Sequence, residues 1–141
     1  MRYLSICLAL IMMANGHAAI IGQKGWLRLM PPGAGMTAGY VELFNPSQHP
    51  IVVTEVKCPE LGQCMIHETV RDQKGTMTMR HVSELTIPAE GSVRLVPGAK
   101  HLMVMGLTKP LSDGTEVIIE FCDAEQQCWP VRFRVSTEQP N

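Results

Sequence analysis

The stretch His101-Leu102-Met103-Val104-Met105-Gly106-Leu107 decides how the rest of the chain is read. It is short and apolar, with Pro97-Gly98 before it and Gly106 near its end, which is the pattern of a strand. Side chains alternate between the two faces of a strand. His101, Met103 and Met105 therefore point one way, and Leu102 and Val104 the other. A core needs only the hydrocarbon face. The opposite face sets an imidazole beside thioether sulfurs, a donor set that suits a soft ion such as Cu(I). The stretch thus predicts one wall of a metal site and directs attention to the segments that could complete it.

Outward from it, the chain is a run of short strand signals separated by turns. Trp26-Leu29 stops at Pro31-Pro32-Gly33, and Thr37 to Phe44 alternates up to Asn45-Pro46. Ile51 to Lys57 is β-branched and alternating. Met65 to Val70 and Thr76 to His81 flank the turn residues Asp72 to Gly75. Glu84 to Ile87, Ser92 to Val96, Glu116 to Phe121 and Trp129 to Val135 follow. Strands spaced at about 8–12 residues with no helical stretch predict an all-β fold, an antiparallel sandwich or barrel. Twelve glycines and ten prolines suit that many turns.

The 141 residues suffice for a single domain with a real core. Charge is nearly balanced at −1, which gives no sign of nucleic-acid binding. Arg2, the apolar run Tyr3 to Met13 and the ending Gly16-His17-Ala18 read as a signal peptide, cut after Ala18 or Ala19. The expected division is residues 1–18 as signal and 19–141 as the β domain, exported to the periplasm. The apolar run of about 11 residues is short of the roughly 20 that span a bilayer, so no membrane span is expected. Cys7 lies too deep in that run to carry a lipid. Cys58, Cys64, Cys122 and Cys128 remain. An even number in an exported chain implies disulfides. Three pairings are possible, and the two C-x5-C units favour Cys58–Cys64 and Cys122–Cys128.

Soft donors recur at alternate positions in three segments: Met65/His67, Met77/Met79/His81 and His101/Met103/Met105. Any one of them could be a core methionine or a surface histidine. The recurrence on predicted strand faces argues for a site. His49, in a turn, is expected in solvent, as is His81; Trp26 and Trp129 are expected in the core. Met65, Met77 and Met105 read as apolar shields, with Met77 and Met105 as possible substitute ligands.

The spacing carries a resemblance as well. The chain resembles the periplasmic copper chaperones of the PCu(A)C type from Trp26 to about Val135. The family pattern is a histidine usually followed by Met, ten residues, a Met, 21 residues, then His-x-Met. Here His67 comes first, Glu68 stands in place of the usual Met, Met79 follows, and His101 and Met103 close the pattern. The texts I-H-E-T, M-T-M-R, I-P-A-E-G and P-G-A-K-H-L-M-V-M-G-L agree too. The resemblance implies a cupredoxin-like antiparallel β-sandwich and a Cu(I) site made of His67, Met79, His101 and Met103. It also implies delivery of copper to a partner, either a cytochrome oxidase subunit or a thioredoxin-like assembly factor.

The leading expectation is a non-enzymatic, monomeric periplasmic Cu(I) carrier. Thioether and imidazole donors suit an oxidising compartment, because a thioether cannot be lost to a disulfide. An electron-transfer cupredoxin would need a free thiolate. A disulfide-stapled binding module with a methionine-rich core is the third reading.

Overall fold

The computed structural model describes residues 18–141; the expected signal region lies outside the described residues up to position 17. Strand β2 (Met36–Asn45) is the centre of the fold. Along one edge it pairs antiparallel with β1 (Ile21–Arg28). Along the other edge its two halves meet different strands. Val41 to Asn45 pair with β8 (Gly91–Leu95), and Met36 to Gly39 pair with β9 (Lys100–Met105).

β8 and β9 would be one strand but for the residues between Leu95 and Leu102, which stand against Tyr40 alone. That excess is thrown out as a tight loop. The Val96 amide donates to the Lys100 carbonyl at 2.8 Å, and Gly98 takes φ 83°, which Gly adopts without strain. His101 sits where the strand resumes.

β9 continues to β5 (Gln63–Arg71), and β5 to the edge strand β6 (Met77–His81). On the far side of β1, β11 (Cys128–Ser136) runs parallel to it. β11 forms a hairpin with β10 (Glu116–Cys122), and β4 (Glu55–Lys57) closes that edge. β3 (Ile51–Val53) and β7 (Leu85–Ile87) form a separate two-stranded sheet. No helix occurs among the described residues.

The expected single strand from Ile51 to Lys57 is two strands. The chain changes partners at Thr54, whose amide donates to the Cys122 carbonyl at 2.9 Å. The residues before it pair with β7 and those after it with β10. β-branched alternation marks a strand but not the sheet it joins.

The inward faces meet in one apolar cluster that includes Leu27, Leu43, Leu102, Val104, Ile119 and Phe133, all fully buried. This is the expected β-sandwich. The two faces of β9 divide as the opening stretch predicts, with Leu102 and Val104 in the core. Both cysteine pairs are bonded locally, Cys58–Cys64 and Cys122–Cys128. Trp129 is buried, and its indole N–H donates to the Ala18 carbonyl at 2.9 Å. Trp26 is buried too, but apart from the main cluster. It lies on the outer face against Tyr40, ring centres 4.9 Å apart.

Candidate metal centre

The registers arrange the soft donors as a lattice on the outer face of three strands. His67 on β5 stands directly opposite His101 on β9 and directly opposite His81 on β6. One step along, Met65 faces Met103. One step the other way, Thr69 faces Met79. Residues paired across antiparallel strands carry Cβ atoms about 4.5–5.5 Å apart, and diagonal neighbours remain within reach of long side chains. His67, Met79, His101 and Met103 therefore share one face. Met79, His101 and Met103 line one open cleft of ≈ 380 Å³ together with Thr69. His67 does not line that cleft; it is placed beside the other three by the register, on β5 between their two strands.

Each donor has a distinct environment. His101 is buried at 5% exposure, and its Nδ1 lies 3.0 Å from the Ala99 carbonyl in the loop between β8 and β9. That bond fixes the ring and leaves Nε2 as the free nitrogen, the usual way a ligating imidazole is oriented. His67 is half-buried. Its Nδ1 is shut off from solvent and has no hydrogen-bond partner. An unpartnered buried nitrogen costs about 1–3 kcal/mol, a cost that an ion bound there would remove. Burial first, then the neighbouring His101 and His81 rings, hold the His67 pKa below its ordinary 6.5. The ring stays neutral, with a lone pair to offer. Met79 is 62% exposed on the edge strand, while Met103 is half-buried. The donor set fits a soft ion: neutral nitrogen and thioether sulfur, with an exposed methionine that can move.

Glu68, the departure from the family pattern, points to the opposite face. It forms ion pairs with Arg80 at 2.6 Å and Lys100 at 3.5 Å, its cross-strand neighbours. Those cations, Arg80 foremost, hold its carboxyl below the usual range.

The structure also adds neighbours that spacing did not single out. Met30, Met36, Arg28 and Tyr40 line the same cleft. The Arg28 guanidinium lies over both Tyr40 and Trp26, at 5.7 and 5.9 Å from the ring centres. β2 brings these residues in by pairing with β9 on one edge and with β1 on the other, and no local motif encodes that contact. Met105 pairs across from Met36 and Gln63, and Met77 across from Arg71. Neither lines the cleft. His49 is exposed in its turn, as expected. His81 is exposed, but it is not a bystander: its ring centre is 6.1 Å from that of His67, the same distance as His101. The sulfurs of Cys122 and Cys128 lie near Glu120, but they are bonded to each other and offer no thiolate.

With that geometry in place, comparison with known proteins gives a consistent answer. The LpqE-like family profile, a family described as lipoproteins, matches residues 21–135. The chain is 30% identical over 114 residues to Lxx21020 of Leifsonia xyli subsp. xyli, described as a lipoprotein, with 80% of this chain and 67% of that one covered. Among solved structures, the solution structure of Cu(I)-bound DR1885 from Deinococcus radiodurans is 29% identical with a TM-score of 0.65, covering 89% of this chain and 84% of that one. Its apo form is 27% identical with a TM-score of 0.64, covering 98% and 95%. The apo PCuAC domain of PmoF1 matches at a TM-score of 0.67 and 16% identity, covering 84% and 94%, a likeness of fold alone. Sequence and fold together show that the chain belongs to the LpqE-like family, with the cupredoxin-like sandwich of the PCu(A)C type.

Proposed function

We propose that the protein binds one Cu(I) ion through His67, Met79, His101 and Met103 and carries it to an acceptor. The observation that carries this reading is the register. It brings two imidazoles, one fixed by Ala99 and one with a buried, unpartnered nitrogen, onto the same face as Met79 and Met103. The similarity to DR1885, solved with Cu(I), supports the choice of ion. So does the chemistry, since imidazole and thioether together suit Cu(I).

The donors explain how a carrier can let go. All four are neutral, so the site leaves the charge of the ion uncancelled. Met79 sits exposed on an edge strand that pairs only with β5. An acceptor reaching the cleft can replace that thioether first, while the more buried His101 and Met103 still hold the ion. Transfer then proceeds by ligand exchange without release of free copper. Export with cleavage after Ala18 or Ala19, delivery in the periplasm, and an oxidase subunit or thioredoxin-like assembly factor as acceptor belong to the same proposal. So does a monomeric, non-catalytic carrier. No helix among the described residues is long and apolar enough to cross a membrane. An electron-transfer cupredoxin is disfavoured, because all four cysteines among the described residues are in disulfides.

Competition for Cu(I) against a coloured chelator tests the assignment. His101→Ala and Met103→Ala should each weaken binding by about tenfold or more, since loss of even an outer partner of a ligand costs that much. His49→Gln, remote and exposed, should leave it unchanged. Equal affinities in all of these proteins would remove the site.

A further inference from the structure

We propose that His81 and His67 form a second, nitrogen-only metal position at the exposed edge of the same sheet face, one that takes Cu(II). The cross-strand register places the two residues directly opposite each other on β6 and β5. Their ring centres are 6.1 Å apart, and the same separation holds between His67 and His101. An imidazole holds a metal about 2.1 Å from its nitrogen, which puts the ring centre roughly 3.2 Å from the ion, so two rings can flank one ion at up to about 6.4 Å. Both histidine pairs meet that limit. By distance alone His67 can share an ion with either neighbour.

The two pairs differ in what surrounds them. Beside His101 stands Met103, and the pair is closed in by β2 and the loop that fixes His101. His81 lies on the outermost strand, every residue of which is exposed. An ion between His67 and His81 would complete its coordination with water. Two imidazoles with oxygen ligands in a tetragonal arrangement suit Cu(II), whereas thioether sulfur suits Cu(I). The face therefore sorts copper by oxidation state across one shared histidine, and the two positions fill one at a time. This inference rests on the preceding reading only for His67 as a ligand. It needs neither methionine.

The experiment is a pair of titrations on the full chain. Copper(II) sulfate is titrated against glycine as competitor and followed by electron paramagnetic resonance; Cu(I) is titrated against a coloured chelator. His81→Gln, on the exposed edge and checked for folding by circular dichroism, should weaken Cu(II) binding by about tenfold or more and reduce nitrogen coupling in the spectrum. Its Cu(I) affinity should stay near that of the wild type. Met79→Leu should do the reverse. Unchanged Cu(II) affinity in His81→Gln would overturn the proposal, and so would an equal loss for both oxidation states, which would make His81 part of one undivided site. If the wild type fails to hold Cu(I) yet binds Cu(II) through His81, the carrier reading falls and this one stands.

Discussion

His67 stands at the centre of the candidate site, between β6 and β9. It faces an imidazole on each side and keeps one nitrogen buried without a partner. Its lowered pKa has a consequence for the metal-free protein. The unfolded chain takes up a proton near the ordinary 6.5, while the folded chain resists it because of burial and the neighbouring rings. Stability from this group is therefore full above pH 6.5, declines as pH falls from 6.5 towards the lowered value, and levels off below it. Urea midpoints of metal-free protein measured between neutral pH and that window should fall more steeply for the wild type than for His67→Gln. Identical slopes would show that the folded protein does not hold His67 neutral. At this scale the sequence was partly legible. His67, Met79, His101 and Met103 stood out by alternation and spacing. His81 shared the alternation but lay outside the family pattern and was expected in solvent; that it lies opposite His67 across a hairpin is shown only by the register.

At the scale of the element, the loop between β8 and β9 and the turn before β5 set the position of the histidines. Gly62 shows how tight the second of these is. It has φ 153°, and a Cβ there would come within 2.4 Å of the Met105 carbonyl and 2.6 Å of the Gly106 carbonyl. Both are backbone and cannot turn aside. Gly62→Ala should destabilise by about 2 kcal/mol or more, read as a lowered denaturation midpoint. A neutral result would mean that the β5–β9 end is loosely packed. The disulfides act on other ends. Cys122–Cys128 staples the β10–β11 turn on the opposite edge of the sheet from β6. A loop that short contributes about 2 kcal/mol, mainly by restricting the unfolded chain. The double variant Cys122→Ser/Cys128→Ser should therefore lose about that much stability and keep its Cu(I) affinity. Loss of affinity with the fold intact would tie that end of the sheet to the site. Strand positions were legible from alternation and turn residues because each is local. The split at Thr54 was not, since it depends on a bond to Cys122 far along the chain.

At the scale of the whole molecule, the described residues form a sandwich with its soft donors gathered on one outer face, several of them exposed thioethers. Met36, Met77 and Met79 are 48%, 54% and 62% exposed. A core explanation of the methionines fails for these three, because they face solvent. The fold class could be read from strand spacing, and the cupredoxin-like form from the resemblance. The contribution of β1 and β2 to the cleft, through Arg28, Met30, Met36 and Tyr40, required the long-range pairing of β2 with β9. A ligand that binds only the folded state stabilises it by about 2.7 kcal/mol at a hundredfold excess over Kd. Heating the protein with Cu(I) in reducing buffer should then raise Tm by several degrees, and His101→Ala should lose that rise. A rise that persists in the variant would locate the ion elsewhere.

The most direct test of the central claim is X-ray absorption on the Cu(I)-loaded protein. The account predicts nitrogen and sulfur scatterers in the same first coordination shell, with the sulfur signal reduced in Met79→Leu and Met103→Leu. A shell of nitrogen or oxygen alone, or a sulfur signal unchanged in both variants, would contradict it.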